Sequence, residues 1–177
     1  MTIISKALLV MAVLGLAACN NPDRYGAGGA GGTALPSGTG GTGIDTSGLG
    51  DPNNPASVAY FNQTIGDRVL FAVDQSNLSD GARGVLAGQA RWLQTNADYA
   101  VIIEGHADEQ GTREYNLALG ARRASAVQNY MISQGIAAGR LRTVSYGKER
   151  PLEICSDEAC YSQNRRAVTV LSVGAGA

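Results

Sequence analysis

Between Gly26 and Gly50, 11 of 25 residues are glycine, and most of the others are Ala, Thr or Ser. No apolar period runs through this stretch. Between Tyr25 and Asp67 the only charges are Asp45 and Asp51. Such a segment cannot bury enough surface to offset the entropy of ordering it, so it predicts a flexible linker. Any core must come from residues C-terminal to it. The organisation expected is a leader at 1–18, a linker at 19–57, a folded domain at 58–173 and a short flexible tail at 174–177. From Cys19 to Asp67 a Gly-rich coil spans roughly 40 Å r.m.s..

The leader is read from Lys6, the apolar run Ala7 to Leu16, and Leu16-Ala17-Ala18 before Cys19. An apolar core of about ten residues is too short to span a bilayer, which takes roughly 20, and suits a signal peptide. Leu-Ala-Ala-Cys resembles the bacterial lipobox, which implies lipidation of Cys19 and an anchored mature chain; several acyl chains anchor stably where one does not. In lipoproteins of that kind an Asp after the Cys favours inner-membrane retention, so the resemblance, with Asn20 at that place, implies the outer membrane. With 14 Lys+Arg against 15 Asp+Glu, the chain has no basic footprint for nucleic acid.

Within the domain, Arg68-Val69-Leu70-Phe71 reads as a strand. Ser79 suits an N-cap, and Ala82, Leu86, Ala90 and Leu93 behind it recur at helical spacing to about Thr95. Tyr99 to Glu104 is an apolar, partly β-branched run suited to a central strand. Arg113 to Gln134 predicts a second helix, its stripe read as Leu117, Gly120, Ala124, Val127 and Met131, with Gly135 as terminator. Strands at Leu141–Tyr146 and Ala167–Val173 complete an α/β (α+β) two-layer sandwich in βαβαβ…β order: a four-stranded mixed sheet packed on two main helices. The sheet order stays open.

The stretch Val101-Ile102-Ile103-Glu104-Gly105-His106-Ala107-Asp108 ends an apolar run in a glycine and an acid. On the next helix Asn116 and Arg123 lie seven residues apart, close to two turns, and so share a face. If that helix folds back on the strand, Asp108 and Arg123 line one pocket. A carboxylate and a guanidinium together suit a zwitterion, an amine and a carboxylate on one carbon; the plainer alternative is a structural Asp108–Arg123 salt bridge.

The same residues resemble the OmpA-like peptidoglycan-binding domain. The match runs through Phe71-Ala72-Val73-Asp74, Glu104 to Thr112, Tyr115-Asn116-Leu117, Arg122-Arg123-Ala124, Val144 to Pro151 and Ser162 to Val168. The resemblance implies non-covalent binding of the diaminopimelate in peptidoglycan stem peptides. Asp108 would meet its ammonium group, Arg123 its carboxylate, and Asn116 would add hydrogen bonds. Phe71 and the turn at Asp74 would form the far wall, although Ser76 and Asn77 depart from the usual pattern. It also implies an outer-membrane lipoprotein facing the periplasm. Its partner would be the periplasmic β-propeller protein of the Tol system, on a face overlapping the wall site. An accessory of another envelope machine, with no Tol partner, stays open as the alternative.

His106, the only histidine, is too isolated for a zinc site and reads as a satisfied structural residue at a strand end. Neither metal nor cofactor is called for, and no nucleophile and base stand out, so the chain does not read as an enzyme. Cys155 and Cys160, in an oxidising periplasm, predict a disulfide that fixes the loop before Asn164-Arg165-Arg166. Trp92 lies off the apolar stripe, which leaves core and partner-contact roles equal.

Overall fold

Alternation along the strands places the core on one side of a four-stranded sheet. In the computed structural model, which describes residues 49–154 and 156–173, the strands are β1 (Arg68–Leu70), β2 (Tyr99–His106), β3 (Leu141–Gly147) and β4 (Arg166–Val173). Their order is β1-β4-β2-β3, with β2 and β3 parallel and the other pairs antiparallel. The leader, Cys19, the linker up to residue 48, Cys155 and the tail lie outside the described residues.

Among the described residues, α-helices accompany the sheet at α1 (Val58–Tyr60), continued by a π-helical stretch Phe61–Gly66; α2 (Asp80–Thr95); α3 (Arg113–Ser133); and the short α4 (Glu158–Asn164), with a 3-10 turn at Ala138–Arg140 before β3. Ser79 caps α2, its hydroxyl accepting from the Ala82 amide, and Thr112 caps α3 through the Tyr115 amide. Gly135, at φ 92°, comes after the end of α3 in the left-handed region. The inner face of β2 buries Tyr99, Val101 and Ile103 against Leu86, Leu93, Val127 and Met131 in one core. The α/β two-layer architecture read from the sequence is the one observed.

Two helices differ from expectation. The helix α3 buries Leu119 and leaves Leu117 half exposed, because the buried stripe runs Asn116, Gly120, Arg123, Ala124, Val127 and Met131. Leu117 lies one residue, about 100°, out of that phase. The helix α4 occupies what read as loop, with the Asp157 side chain accepting from the Cys160 amide as its cap.

Packing also begins upstream of 58. Leu49 lies against the core, Ser57 is fully buried, and its hydroxyl donates to the Asp51 carbonyl. Two aromatic donors hold this lead segment. Trp92 Nε1 donates to the Pro55 carbonyl (2.7 Å), and the Tyr99 hydroxyl to that of Ala56 (2.9 Å). Trp92 is therefore a core residue, its ring 4.9 Å from Phe61 and 5.2 Å from Tyr99. At the same end of the sheet Arg140 donates to the carbonyls of Leu93, Asn96 and Tyr99, satisfying the last turn of α2.

The contact of α3 with β2 positions everything at the far end of the sheet. A Cβ on Gly105 would lie 1.9 Å from the Gly120 carbonyl oxygen, and one on Gly120 would lie 2.4 Å from Ser145 Oγ. Only paired glycines let the two backbones approach so closely. The approach brings the first turns of α3, with Asn116 and Arg123, against the carboxyl end of β2.

Candidate functional site

Asp108 lies two residues past β2, on a loop pinned from several sides. Asn116, buried, donates from Nδ2 to the Gln110 carbonyl (2.7 Å). Lys148 Nζ donates to the carbonyls of Gly111 (2.7 Å) and Glu109 (3.3 Å). The Glu109 carboxylate accepts from the Tyr161 hydroxyl (2.9 Å) and Ser156 Oγ (3.1 Å). The loop is thus held by α3, α4 and the segment after β3.

Arg123 has no accessible surface. Its Nε donates to the Gln75 carbonyl (2.8 Å), Nη1 to that of His106 (2.8 Å) and Nη2 to that of Ala72 (3.2 Å). The guanidinium lies 5.2 Å from the Phe71 ring centroid. It therefore joins the end of β2 to the turn after β1. Burial lowers its pKa to about 10, while the nearby Asp108 charge opposes that shift and Arg165 adds to it. Among the described residues no carboxylate reaches ion-pair distance of Arg123.

Asp108 pairs instead with Arg165, the residue just before β4: Oδ2 accepts from Nη1 at 3.1 Å. Oδ1 accepts from the Gln110 amide at 3.3 Å, an Asx-type turn. The structural Asp108–Arg123 salt bridge entertained from the sequence is absent. Antiparallel pairing of β4 with β2 and β1 puts the residue before β4 between their ends. Arg165 Nε also donates to the Phe71 carbonyl (3.2 Å), and both Nη atoms donate to Glu158 of α4. Glu158, then desolvation, then Asp108 act on Arg165, and its pKa rises.

At the far wall, Phe71 is buried and Asp74 adopts φ 55°, a left-handed conformation that non-glycine residues seldom take. The Asp74 carboxylate accepts from the Tyr115 hydroxyl on α3, closing the wall, and that bond raises the Tyr115 pKa. The fold thus gathers Phe71, Asp74, Asp108, Asn116 and Arg123 into one region. Arg165, Glu158 and Tyr115 also belong to it; the sequence reading named the Arg165 and Tyr115 stretches without giving either residue a role, and Glu158 escaped it.

His106 differs from expectation. It is buried at the end of β2, as read, yet its ring nitrogens make no well-formed hydrogen bond: Nε2 lies 3.5 Å from Glu104, and the Arg150 backbone offers only a marginal contact. Among the described residues no group of three or more His, Cys, Asp or Glu side chains is arranged to hold a metal, and no helix is long and apolar enough to cross a membrane. Cys160 is disulfide-bonded; Cys155, its expected partner, lies outside the described residues.

Comparison with known proteins matches residues 70–165 to the OmpA family. The peptidoglycan-associated lipoprotein of Mesorhizobium japonicum is 57% identical over 122 residues, covering 69% of this chain and 72% of that relative. The peptidoglycan-associated lipoprotein of Agrobacterium fabrum is 53% identical over 122 residues, 69% of this chain and 68% of its own. Among solved structures, the peptidoglycan-associated lipoprotein from Burkholderia pseudomallei superposes with TM-score 0.61 at 36% identity, covering 69% of this chain and all of that one. The C-terminal domain of Helicobacter pylori MotB, at 19% identity and TM-score 0.57, covers 61% of this chain and 85% of its own; it shares the fold.

Proposed function

The chain belongs to the OmpA family, among its peptidoglycan-associated lipoproteins, and from that premise we propose that it grips the diaminopimelate of peptidoglycan stem peptides and ties the outer membrane to the wall. One observation carries the reading. Asp108 stands near enough for its charge to act on the Arg123 guanidinium, yet the two are not paired. Two opposite charges held apart at one site suit a ligand that carries both. Asp108 keeps acceptor capacity for an ammonium group. Arg123 lies beneath the Ala72–Gln75 turn, and a ligand carboxylate reaches it by displacing the Ala72 carbonyl, the longest of its three contacts.

Lysine in the stem peptide lacks the second carboxylate and would leave Arg123 without its partner, which makes the site selective for diaminopimelate. Lipidated Cys19 is the proposed anchor in the outer membrane, with the domain in the periplasm and the Gly-rich linker between them. A Cys155–Cys160 disulfide would brace α4. The proposed protein partner is the periplasmic β-propeller protein of the Tol system, competing for an overlapping face, with a role in envelope integrity and constriction at division. No catalytic activity is proposed.

The test is co-sedimentation of the chain with sacculi containing diaminopimelate, alongside Asp108→Ala and Arg123→Ala checked for folding by circular dichroism. Wild type in the pellet with both folded variants in solution supports the reading. Wild type in solution overturns it. Pull-down of the Tol propeller protein, with and without added stem peptide, tests the partner and the competition.

A further inference from the structure

Arg165 is shared unequally between two acids. Both Nη atoms of its fork engage Glu158, whereas Asp108 receives a single contact, from Nη1 at 3.1 Å. Asp108 is buried, and its second oxygen accepts only a 3.3 Å bond from the Gln110 amide. A bidentate guanidinium on Asp108 would occupy both of its oxygens and cancel its charge. The fork is turned away from that arrangement by an exposed acid on the first turn of α4.

We propose that Glu158 is a positioning residue for the ligand: it holds the Arg165 fork off Asp108 and so keeps the Asp108 carboxylate open to an ammonium group. Glu158 makes no contact with the ligand in this account and acts wholly through Arg165. The short helix α4, capped by Asp157 and carrying the disulfide-bonded Cys160, is the mount that sets where Glu158 stands. Without Glu158, the Arg165 fork swings onto the remaining carboxylate, Asp108, and the amine half of the site is neutralised. The proposal rests on the wall-binding reading above.

The test measures binding of the full-length protein in detergent to a tripeptide stem ending in diaminopimelate. A second ligand carries an acetyl group on the side-chain amine. For wild type, acetylation removes the charge that Asp108 meets and weakens binding. In Glu158→Gln the free-amine ligand should bind about tenfold more weakly, the equivalent of one charge-assisted hydrogen bond, and the acetylation penalty should shrink by a similar factor. The ratio of the two affinities is the readout, because it does not depend on the fraction of protein folded. Glu153→Gln removes an equal charge from the preceding loop, at a residue in none of the described ion pairs, and should leave the ratio at its wild-type value. An unchanged acetylation penalty in Glu158→Gln overturns the inference while leaving wall binding intact. Equal shifts in both variants also overturn it, since simple charge loss would then explain the effect. Failure of wild type to bind the free-amine stem overturns the wall-binding reading and this inference with it.

Discussion

Asp108 and Arg165 stand 57 residues apart in sequence and meet at 3.1 Å, carboxylate to guanidinium, at the junction of β2 and β4. The pair is buried, and Glu158 adds a second acid to the same guanidinium. Asp108→Asn keeps the shape and the contact to the Gln110 amide and leaves Arg165 with Glu158. It should therefore cost about 1–3 kcal/mol, less than the 3–5 typical of orphaning a buried charge. Thermal unfolding measures that cost. Sacculus binding should be lost, and a folded Asp108→Asn protein that still pellets with sacculi would refute the ligand role of this carboxylate.

Arg123→Lys tests the geometry of the guanidinium. One ammonium cannot bond three carbonyls that converge from Ala72, Gln75 and His106 on different nitrogens of one planar group. The substitution should destabilise the domain by about 2–4 kcal/mol, from one or two lost charge-assisted bonds. The turn at Asp74 should loosen, and wall binding should fall severely although the charge is kept. Near-normal affinity would show that the planar fork is dispensable.

Gly120→Ala puts a methyl group where Ser145 Oγ and the Gly105 carbonyl already stand, at 2.4 and 2.7 Å. The helix α3 must lift from β2. A loss of about 3 kcal/mol or more is expected from such overpacking, with wall binding falling because Asn116 and Arg123 move with the helix. Urea titration of the variant, compared with wild type, checks the magnitude.

His106 should make stability fall on acidification. Its folded pKa is pushed down to about 4, chiefly by burial, with the Arg166 and Arg150 charges nearby. In the unfolded chain an ordinary histidine titrates near 6.5. The unfolded state then binds the proton first. The stabilising contribution is complete above about pH 6.5, declines as pH falls towards 4, and reaches a total loss of about 3 kcal/mol. His106→Gln should flatten that part of the stability–pH curve, and an unaltered slope would place its origin elsewhere.

Strands and long helices were legible because apolar residues recur along them at the expected periods; the Ser79 cap and the Gly135 stop were legible because their chemistry is local. The site was legible only in part. Asp108, Asn116 and Arg123 lie within sixteen residues on a strand–loop–helix unit: helical spacing put Asn116 and Arg123 on one face, and the fold-back of that helix on the strand, with the family resemblance, added Asp108. Arg165 reaches Asp108 only through the strand order β1-β4-β2-β3, and no local pattern encodes that order. Glu158 depends on a helix of seven residues, too short to show a period. Leu117 was misplaced because Leu119 is an equally good apolar residue in the same turn. The poorly satisfied imidazole of His106 could not be foreseen, because satisfaction of a buried group depends on every neighbour at once.

The lead segment clasped by Trp92 and Tyr99 gives the domain a direction. Within that segment the Leu49 carbonyl accepts from the Ala59 amide, and Leu49 lines one shallow pocket with Tyr99, the first residue of β2. Asp108 stands just past the last residue of the same strand, roughly 25 Å away at the rise of an extended chain. A pull applied at one end and resisted at the other runs lengthwise along β2. Its hydrogen bonds to β3 and β4 are then strained together in shear instead of opened one after another. The central strand is placed to act as a tie rod, and the Pro55 and Ala56 carbonyls, hooked by an indole and a phenol, are the fastening through which tension would enter it.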